Sequence, residues 1–193
     1  MRDVGILTGT HVALVPLTAA HLPRLTEIGC DAALWEWTTD PVTTPELMAR
    51  YVETALAERA AGSAYPFVTV SRATETIVGT TRYANIVPAH RRLEIGWTWI
   101  AAPWQRTVVN TEAKFLMLQY VFETLRYHRV ELKTDALNAR SRAAMERLGA
   151  RFEGTLRKHM VCASGRLRDT VYYSITDDEW PAVKSGLSAR LAR

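Results

Sequence analysis

Hydrophobic and polar positions follow two different periods in the first part of the chain. Residues 11–17 alternate over the length of a strand, whereas residues 19–29 carry apolar side chains at a spacing of three, as a short helix does. Residues 46–61 predict a stronger helix, because Thr44 provides a cap and Pro45 suits the first helical position. This part of the chain is therefore predicted to run strand, helix, helix.

A hairpin and a further strand are predicted next. Residues 65–71 and 76–85 are rich in Val, Thr, Ile and Tyr around a polar turn, and residues 91–101 alternate over a full strand length. In a strand, successive side chains point to opposite faces of the sheet, so residues 91–101 present two groups of side chains. The first group is Leu93, Ile95, Trp97 and Trp99, and the second is Glu94, Gly96, Thr98 and Ile100.

The second half of the chain contains its strongest helical pattern. Residues 111–126 have an apolar stripe and an opposite polar stripe that begins with Glu112. The remaining pattern predicts a strand over 128–135, a helix over 138–148, a hairpin of 152–162 with 167–175, and a last helix to about Leu191. Because the strands at 91–101 and 128–135 are joined through a helix, they are predicted to be parallel. We expect a single mixed α/β (α+β) domain over residues 1–193, mostly antiparallel.

Composition narrows the class of protein. The chain is 48% hydrophobic and 23% charged, as ordinary globular proteins are, and this excludes a disordered chain. It has no apolar run of transmembrane length, and its first residues are too polar to begin a signal peptide. Cys30 and Cys162 stand far apart, which favours reduced thiols. We therefore expect a cytoplasmic protein with no membrane partner.

Charge and histidine spacing exclude two further classes of ligand. The 24 Lys and Arg residues exceed the 20 Asp and Glu residues by only four, and they form no basic run. Nucleic acid is therefore not expected as a partner. His90 and His159 lack the spacing of metal ligands, so no metal is expected. The abundance of arginine remains compatible with a phosphorylated or acidic ligand.

The loop over residues 103–110 joins a predicted strand to the strongest predicted helix. The first turn of a helix presents unpaired N–H groups and the positive end of its dipole, so this loop suits a phosphate group. It contains no glycine, so it is neither a Walker loop nor a dinucleotide fingerprint. Taken alone, it also fits an ordinary connection.

Several blocks of sequence together resemble a known family. They are Trp104-Gln105-Arg106-Thr107-Val108-Val109-Asn110-Thr111-Glu112-Ala113-Lys114, Arg129-Val130-Glu131-Leu132-Lys133-Thr134-Asp135, Asn138-Ala139-Arg140-Ser141, Arg147-Leu148-Gly149-Ala150 and Glu153-Gly154. In this order they resemble the GNAT superfamily of acyl-CoA N-acyltransferases. Within it, they are similar to the Rim-type ribosomal-protein N-terminal acetyltransferases. The resemblance covers about residues 8–180.

The resemblance implies a GNAT fold, in which two central strands splay apart and acyl-CoA lies in the gap, with helices flanking the sheet. Here those strands are residues 91–101 and 128–135. Backbone groups of Trp99 and Ile100 are then expected to bind the pantetheine arm like an added strand, with Asn138 assisting. The residues expected to wrap the pyrophosphate are Gln105, Arg106, Thr107, Val108, Val109 and Asn110.

One residue of that loop departs from the family pattern. Gln105 matches the first position, but Val108 and Asn110 stand where the family usually has glycine. A β-branched residue resists positive φ and adds bulk towards the ligand. We therefore expect Val108 to turn one N–H group away from the pyrophosphate and to weaken CoA binding.

The resemblance also indicates which residues move protons. Glu94 stands where the family often has an acid that removes a proton from the amine, directly or through water; the alternative is a salt-bridged surface residue. Asp135 and Glu36 are other candidate bases. Ser141 follows Asn138 in an Asn-x-x-Ser pattern, and in the absence of a tyrosine on this helix it is the candidate donor to the CoA thiolate. Both residues also fit a simple helix start.

The resemblance implies transfer of an acetyl group from acetyl-CoA to a primary amine, which is a small molecule or a protein N-terminus. Trp35 and Trp37 are candidates for the acceptor wall, although core packing also explains them. Basic residues of the last hairpin form either a solvated face or a contact with an anionic acceptor or CoA phosphate; they are Arg157, Lys158, Arg166 and Arg168. Alternatives are a non-catalytic acyl-CoA-binding scaffold and a transferase for a longer donor such as succinyl-CoA. A homodimer is left open.

Overall fold

A computed structural model describes residues 4–192, in which eight strands form one sheet in the order β1-β2-β3-β4-β5-β6-β8-β7. The strands are β1 (Leu7–Thr8), β2 (Val12–Pro16), β3 (Tyr65–Ser71), β4 (Thr76–Val87), β5 (Arg92–Ile100), β6 (Arg129–Asp135), β7 (Arg151–Val161) and β8 (Leu167–Thr176). The helices are α1 (Leu22–Gly29), α2 (Pro45–Ala60), α3 (Val108–Gln119), α4 (Ala139–Leu148) and α5 (Trp180–Leu191). This order agrees with the predicted one, apart from the added short strand β1.

The two central strands of the sheet separate along their length. All neighbouring strands pair antiparallel except β5 and β6, which are parallel. Their pairing begins at Arg92 with Arg129 and ends at Glu94 with Glu131, although both strands continue. A gap therefore opens between residues 95–100 of β5 and residues 132–135 of β6. The predicted mixed sheet with splayed central strands is confirmed.

A β-bulge at Trp97 accompanies this separation. Thr80 faces Trp99 and Arg82 faces Gly96, so Thr81 alone opposes both Trp97 and Thr98. Trp97 adopts a φ of 47°, in the left-handed region. Because a bulge bends and twists its strand, it directs the end of β5 away from β6.

The bulge makes the predicted alternation of β5 wrong beyond Gly96. Leu93, Ile95 and Ile100 belong to one core, whereas Trp99 lies in another on the opposite face. The ring of Trp97 lies near Lys133, the ion-pair partner of Glu94, and therefore shares the face of Glu94. One extra residue has exchanged the faces of the last four positions, Trp97 to Ile100.

Two apolar cores cover the two faces of the sheet. The larger contains side chains from α3, α4 and α5, among them Met117, Leu118, Met145, Leu148 and Leu187. The smaller lies beneath α1 and α2 and contains Leu25, Trp35, Met48, Val52 and Trp99. This smaller core lies on the face of the sheet that also carries Glu94.

Helix α3 differs from its prediction in its start, its end and its polar stripe. It begins at Val108 rather than Thr111, and a π-helical turn follows it over Tyr120–Thr124. Glu112, expected on the exposed stripe, is buried and accepts hydrogen bonds from the backbone N–H groups of Thr10, His11 and Val12. Three backbone donors compensate for burying its charge, so the carboxylate ties α3 to the turn between β1 and β2.

No helix within residues 4–192 combines the length and the apolar character needed to cross a membrane.

Candidate active site

Gln105 links the two arms of the gap between β5 and β6. Its Nε2 donates to the carbonyl oxygen of Ile100 at 2.9 Å, at the end of β5. Its Oε1 accepts from the Arg140 guanidinium at 3.3 Å, in the first turn of α4. Gln105 and Ile100, which were both predicted to bind CoA, therefore meet the start of α4 at the mouth of the gap.

The start of α3 lies beside this mouth and has the features of an anion site. Thr107 caps the helix: its Oγ1 accepts from the Val109 N–H and donates to the Trp104 carbonyl. The other N–H groups of the first turn have no acceptor within the helix, and the dipole adds positive potential. These groups suit a phosphate-bearing ligand.

Val108 has an ordinary helical backbone, and its effect on CoA binding stays a prediction. The left-handed residue of the loop is Arg106, with a φ of 61°, and Val108 is the first helical residue. A helical φ is natural for valine, and the N–H of a first helical position points out of the helix end. Val108 therefore contributes to the donor set that it was expected to disrupt.

We expect Val108→Gly to leave CoA binding unchanged or to weaken it by up to about tenfold. Glycine raises the entropy of the free loop, which costs about 0.4–1 kcal/mol, and lowers helix propensity by a few tenths of a kcal/mol relative to valine. Calorimetric titration of both proteins with CoA checks this expectation. Tighter binding by the glycine variant would show that the bulk of the valine side chain obstructs the ligand.

Glu94 is buried on the opposite face of β5 from the large core. Its Oε2 accepts from the Asn85 side-chain amide at 2.7 Å and from Lys133 Nζ at 3.0 Å. Its Oε1 accepts no hydrogen bond from residues 4–192 and lies beside Gly96, where a Cβ atom would come within 2.9 Å. A positioned carboxylate with one free oxygen can accept a proton.

Trp97 forms an exposed aromatic wall on the same face as Glu94. It is 42% exposed, and its ring lies between the Arg82 guanidinium, at 5.1 Å, and Lys133 Nζ, at 5.7 Å. Arg82 is itself paired with Glu58 at 2.7 Å. A bulky residue with positive φ costs about 1–3 kcal/mol and points to a functional position. The sequence could not show this, because alternation alone placed Trp97 on the other face.

The two tryptophans predicted for the acceptor wall lie in different surroundings. Trp35 is buried against Tyr51 and Trp99 and donates to the Gly29 carbonyl at 2.7 Å. Trp37 is half-buried beneath the Arg166 guanidinium, 5.9 Å from its ring centre. Trp37 is therefore the accessible member of the pair.

A cleft of about 220 Å³ lies between the α1–α2 connection and the β7–β8 turn. Its lining includes Trp35, Glu36, Cys162 and Arg166. The Ala163 N–H donates to the Thr39 carbonyl at 2.8 Å and holds the two segments together. Glu36 therefore stays a candidate base.

The other candidate base, Asp135, is engaged elsewhere. Its carboxylate accepts from the Leu137 N–H at 2.9 Å and from the Arg166 guanidinium, and the residue is only 1% exposed.

Within residues 4–192, no cluster of three or more His, Cys, Asp or Glu side chains is placed to hold a metal ion.

Asn138 and Ser141 form the start of α4, next to the mouth of the gap. Asn138 Oδ1 accepts from the Ser141 N–H at 2.9 Å, so the predicted helix cap is confirmed. The Ser141 hydroxyl makes no hydrogen bond with residues 4–192 and is free to donate to a ligand. Arg140, which contacts Gln105, precedes it directly.

One buried amine was not singled out from the sequence. Lys114 on α3 is 5% exposed, and its Nζ donates to the hydroxyls of Thr81 and Thr98 at 2.9 and 2.5 Å. Burial lowers the pKa of Lys114 to about 7. A single lysine within a helical pattern carries no signal of burial.

Comparison with known proteins identifies this arrangement. A model described as an acetyltransferase (GNAT) domain matches residues 11–151, which include both splayed strands and the loop between them. The chain belongs to the GNAT acetyltransferase family. The resemblance stated from the sequence and the predicted fold class are thereby confirmed.

Individual relatives of this GNAT protein support the same family assignment. YdaF of Bacillus subtilis (strain 168), whose assignment as a ribosomal N-acetyltransferase is provisional, is 33% identical over 109 residues; these cover 56% of this chain and 58% of YdaF. The chain thus spans less than two thirds of that relative. A T. thermophilus protein provisionally assigned as an acetyltransferase is 34% identical, with a TM-score of 0.90 and 99% of each chain covered.

A Rim-type protein shares the fold. Mycobacterium smegmatis RimJ, solved in complex with CoA-disulfide, has a TM-score of 0.81 at 24% identity, and the match covers 96% of this chain and 91% of RimJ. At 24% identity, the likeness to RimJ shows a shared fold alone. The chain therefore has the family and the architecture of acyl-CoA-dependent acetyltransferases.

Proposed function

We propose that the protein transfers an acetyl group from acetyl-CoA to a primary amine, directly within a ternary complex. The observation that carries this proposal is the juxtaposition of the splayed β5–β6 gap, the α3 N-terminus at its mouth, and Glu94 on its wall. Family membership supports the same reaction. Direct transfer needs no covalent intermediate, so catalysis rests on orientation and on moving protons.

The residues at the gap fit an acyl-CoA. Beyond Glu94, the edge of β5 facing β6 has no strand partner, so the backbone of Trp99 and Ile100 is available to pair with a pantetheine arm. The donors at the start of α3, with Arg106 beside them, suit the pyrophosphate. Asn138 can supply its amide nitrogen, because only its oxygen serves the helix cap.

We expect a crystal structure with CoA to show the pyrophosphate against the first turn of α3, contacting residues between Gln105 and Asn110. The reason is the set of unpaired N–H groups there. A structure in which the diphosphate lies away from that turn would contradict this part of the proposal.

Glu94 is proposed to remove the proton from the ammonium of the acceptor. Lys133 and Asn85 hold its Oε2 in place, and Oε1 remains open to the acceptor or to a bridging water.

Ser141 is proposed to donate a hydrogen bond to the departing thiolate. Ser141→Ala should then lower turnover by about 10- to 100-fold, whereas Ser141→Thr, which keeps a hydroxyl, should retain most of it. Steady-state rates under conditions where chemistry limits turnover provide the measurement. Equal rates for the alanine and wild-type proteins would leave Ser141 only its role in the helix start.

The acceptor is proposed to be a protein N-terminus or a small amine. The ribosomal N-acetyltransferase assignment of YdaF supports the first. The test is a panel of amines and N-terminal peptides with acetyl-CoA and succinyl-CoA, following release of free thiol. CoA binding without transfer to any acceptor would favour a non-catalytic acyl-CoA-binding protein instead.

We also propose a cytoplasmic location. The free thiols of Cys30 and Cys162 support a reducing compartment. The homodimer stays a prediction, and light scattering of the purified protein at several concentrations checks it.

A further inference from the structure

Arg168 on β8 is a buried cation without a partner. The residue is 8% exposed, its Nε is buried without a hydrogen bond, and its guanidinium forms no hydrogen bond or ion pair with residues 4–192. Burial lowers the pKa of Arg168 below its ordinary value. Burying an unpaired charge is costly, so proteins rarely keep one without use.

The carboxylates nearest to Arg168 are already occupied. Asp135 accepts from the Arg166 guanidinium and from a backbone N–H, while Glu94 accepts from Asn85 and Lys133. Both acids act on Arg168 electrostatically, although neither hydrogen-bonds to it. The group of Arg166, Arg168 and Asp135 therefore carries one uncompensated positive charge.

A second unpartnered donor lies next to Arg168 on the same strand. Thr170 is fully buried, and its Oγ1 has no hydrogen-bond partner among the described residues. Because side chains two residues apart share a face, the two donors project from one surface of β8, with their Cα atoms about 7 Å apart. The buried Thr170 hydroxyl therefore adds a second unsatisfied polar group beside the Arg168 side chain.

This surface faces the proposed acceptor side of the gap. Tyr172, two residues beyond Thr170, pairs with Lys133 of β6, and its ring lies 5.9 Å from Lys133 Nζ. Lys133 in turn contacts Glu94. Arg168 thus lies on the face that carries the proposed base, towards the end of the sheet beside the cleft that Glu36, Cys162 and Arg166 line.

We propose that Arg168 binds a carboxylate group of one of the two substrates; this inference rests on the proposed acyl transfer. The planar guanidinium fork matches a carboxylate in two parallel hydrogen bonds, which its two terminal nitrogens can donate. A single net positive charge suits a monoanion. The carboxylate belongs either to the acceptor amine or to the far end of a dicarboxylic acyl donor.

The first test measures stability and binding, and it needs no enzymatic activity. Arg168→Met removes the unpaired charge, so we expect a higher melting temperature than that of wild type. Millimolar succinate should raise the melting temperature of wild type above that in sodium chloride of equal ionic strength, and it should leave Arg168→Met unchanged. Arg168→Lys, which keeps the charge but not the fork, should respond weakly.

The matched control is Arg50→Met, which removes an exposed arginine from α2, a helix with no proposed role in binding the carboxylate. It should keep the succinate response of wild type. An Arg168→Met protein that is less stable than wild type and still responds fully to succinate would overturn the proposal.

The second test locates the source of the carboxylate. One arm compares peptides that begin with Glu and with Gln, using acetyl-CoA; the other compares succinyl-CoA with acetyl-CoA on a neutral amine. Arg168→Met should lower kcat/KM about 100-fold for the carboxylate-bearing member of one pair only, and the affected arm identifies the source. Equal effects on charged and neutral members would refute carboxylate recognition.

The two tests separate this inference from the proposed function. No transfer to any amine would refute the acyl transfer, while the succinate response would still decide whether Arg168 forms a carboxylate site.

Discussion

Glu94→Gln is expected to lower turnover about 10²- to 10⁴-fold at neutral pH while leaving CoA binding intact. The amide preserves the shape of the side chain, and its oxygen can still accept from Asn85 and Lys133. It cannot accept the proton that the acceptor ammonium must lose, and positioned bases contribute about this much to the rate. Steady-state kinetics with an identified acceptor, together with calorimetric titration of CoA, measure both quantities.

Glu131→Gln is the matched control for this experiment. Glu131 is the register partner of Glu94 on β6, but its carboxylate pairs with Arg92 and Arg129. This variant should keep turnover within a few-fold of wild type. If Glu94→Gln were as active as the control, the base would lie elsewhere, and Glu36 in the adjoining cleft would be the next candidate.

Lys114→Met is expected to stabilise the folded protein by up to about 5 kcal/mol near pH 6. The pKa of Lys114 falls from 10.5 to about 7 because its amine is buried without a carboxylate partner. Each unit of pKa corresponds to about 1.36 kcal/mol, so the shift from 10.5 to about 7 sets this upper value. Removal of the amine leaves neither threonine hydroxyl without a hydrogen-bond partner, because the Thr81 and Thr98 hydroxyls already lie 2.8 Å apart.

The advantage of Lys114→Met should shrink as pH rises. Between pH 7 and 10.5, the unfolded wild-type chain keeps a proton that the folded chain has lost, so wild-type stability increases with pH. Urea unfolding at pH 6, 8 and 10 tests this trend. The control Lys158→Met removes an exposed charge and should show no such trend. If the difference in free energy of unfolding between Lys114→Met and wild type did not change with pH, it would arise from packing rather than from burial of the charge.

Much of the fold follows from local sequence signals. Thr44 before Pro45 marks the start of α2, and Asn138 caps α4 as its side chain predicts. The strand–helix–strand segment through α3 requires a parallel pair, and β5 and β6 form it. Such signals survive folding because they depend on residues within a turn or two of each other. The family resemblance and its loop likewise lie in consecutive residues.

Other features depend on partners that are distant in sequence. Arg106, not Val108, takes the left-handed backbone of the loop, because the helix begins three residues earlier than its apolar pattern indicates. Glu112 is buried because backbone donors about a hundred residues away receive its carboxylate. No window of sequence contains both members of such an interaction.

The sequence by itself determined the order of the elements, the parallel pair and the family, since these follow from periodicity and consecutive motifs. Tertiary structure alone decided which side chains face the reaction. The bulge at Trp97 exchanged the faces of β5, and packing of the sheet left Arg168 buried without a partner. A prediction from alternation holds only where the pairing between two strands is uninterrupted, and a bulge interrupts it. The burial of a side chain depends on the elements that pack against its strand. Both features therefore depend on parts of the chain outside the strand itself.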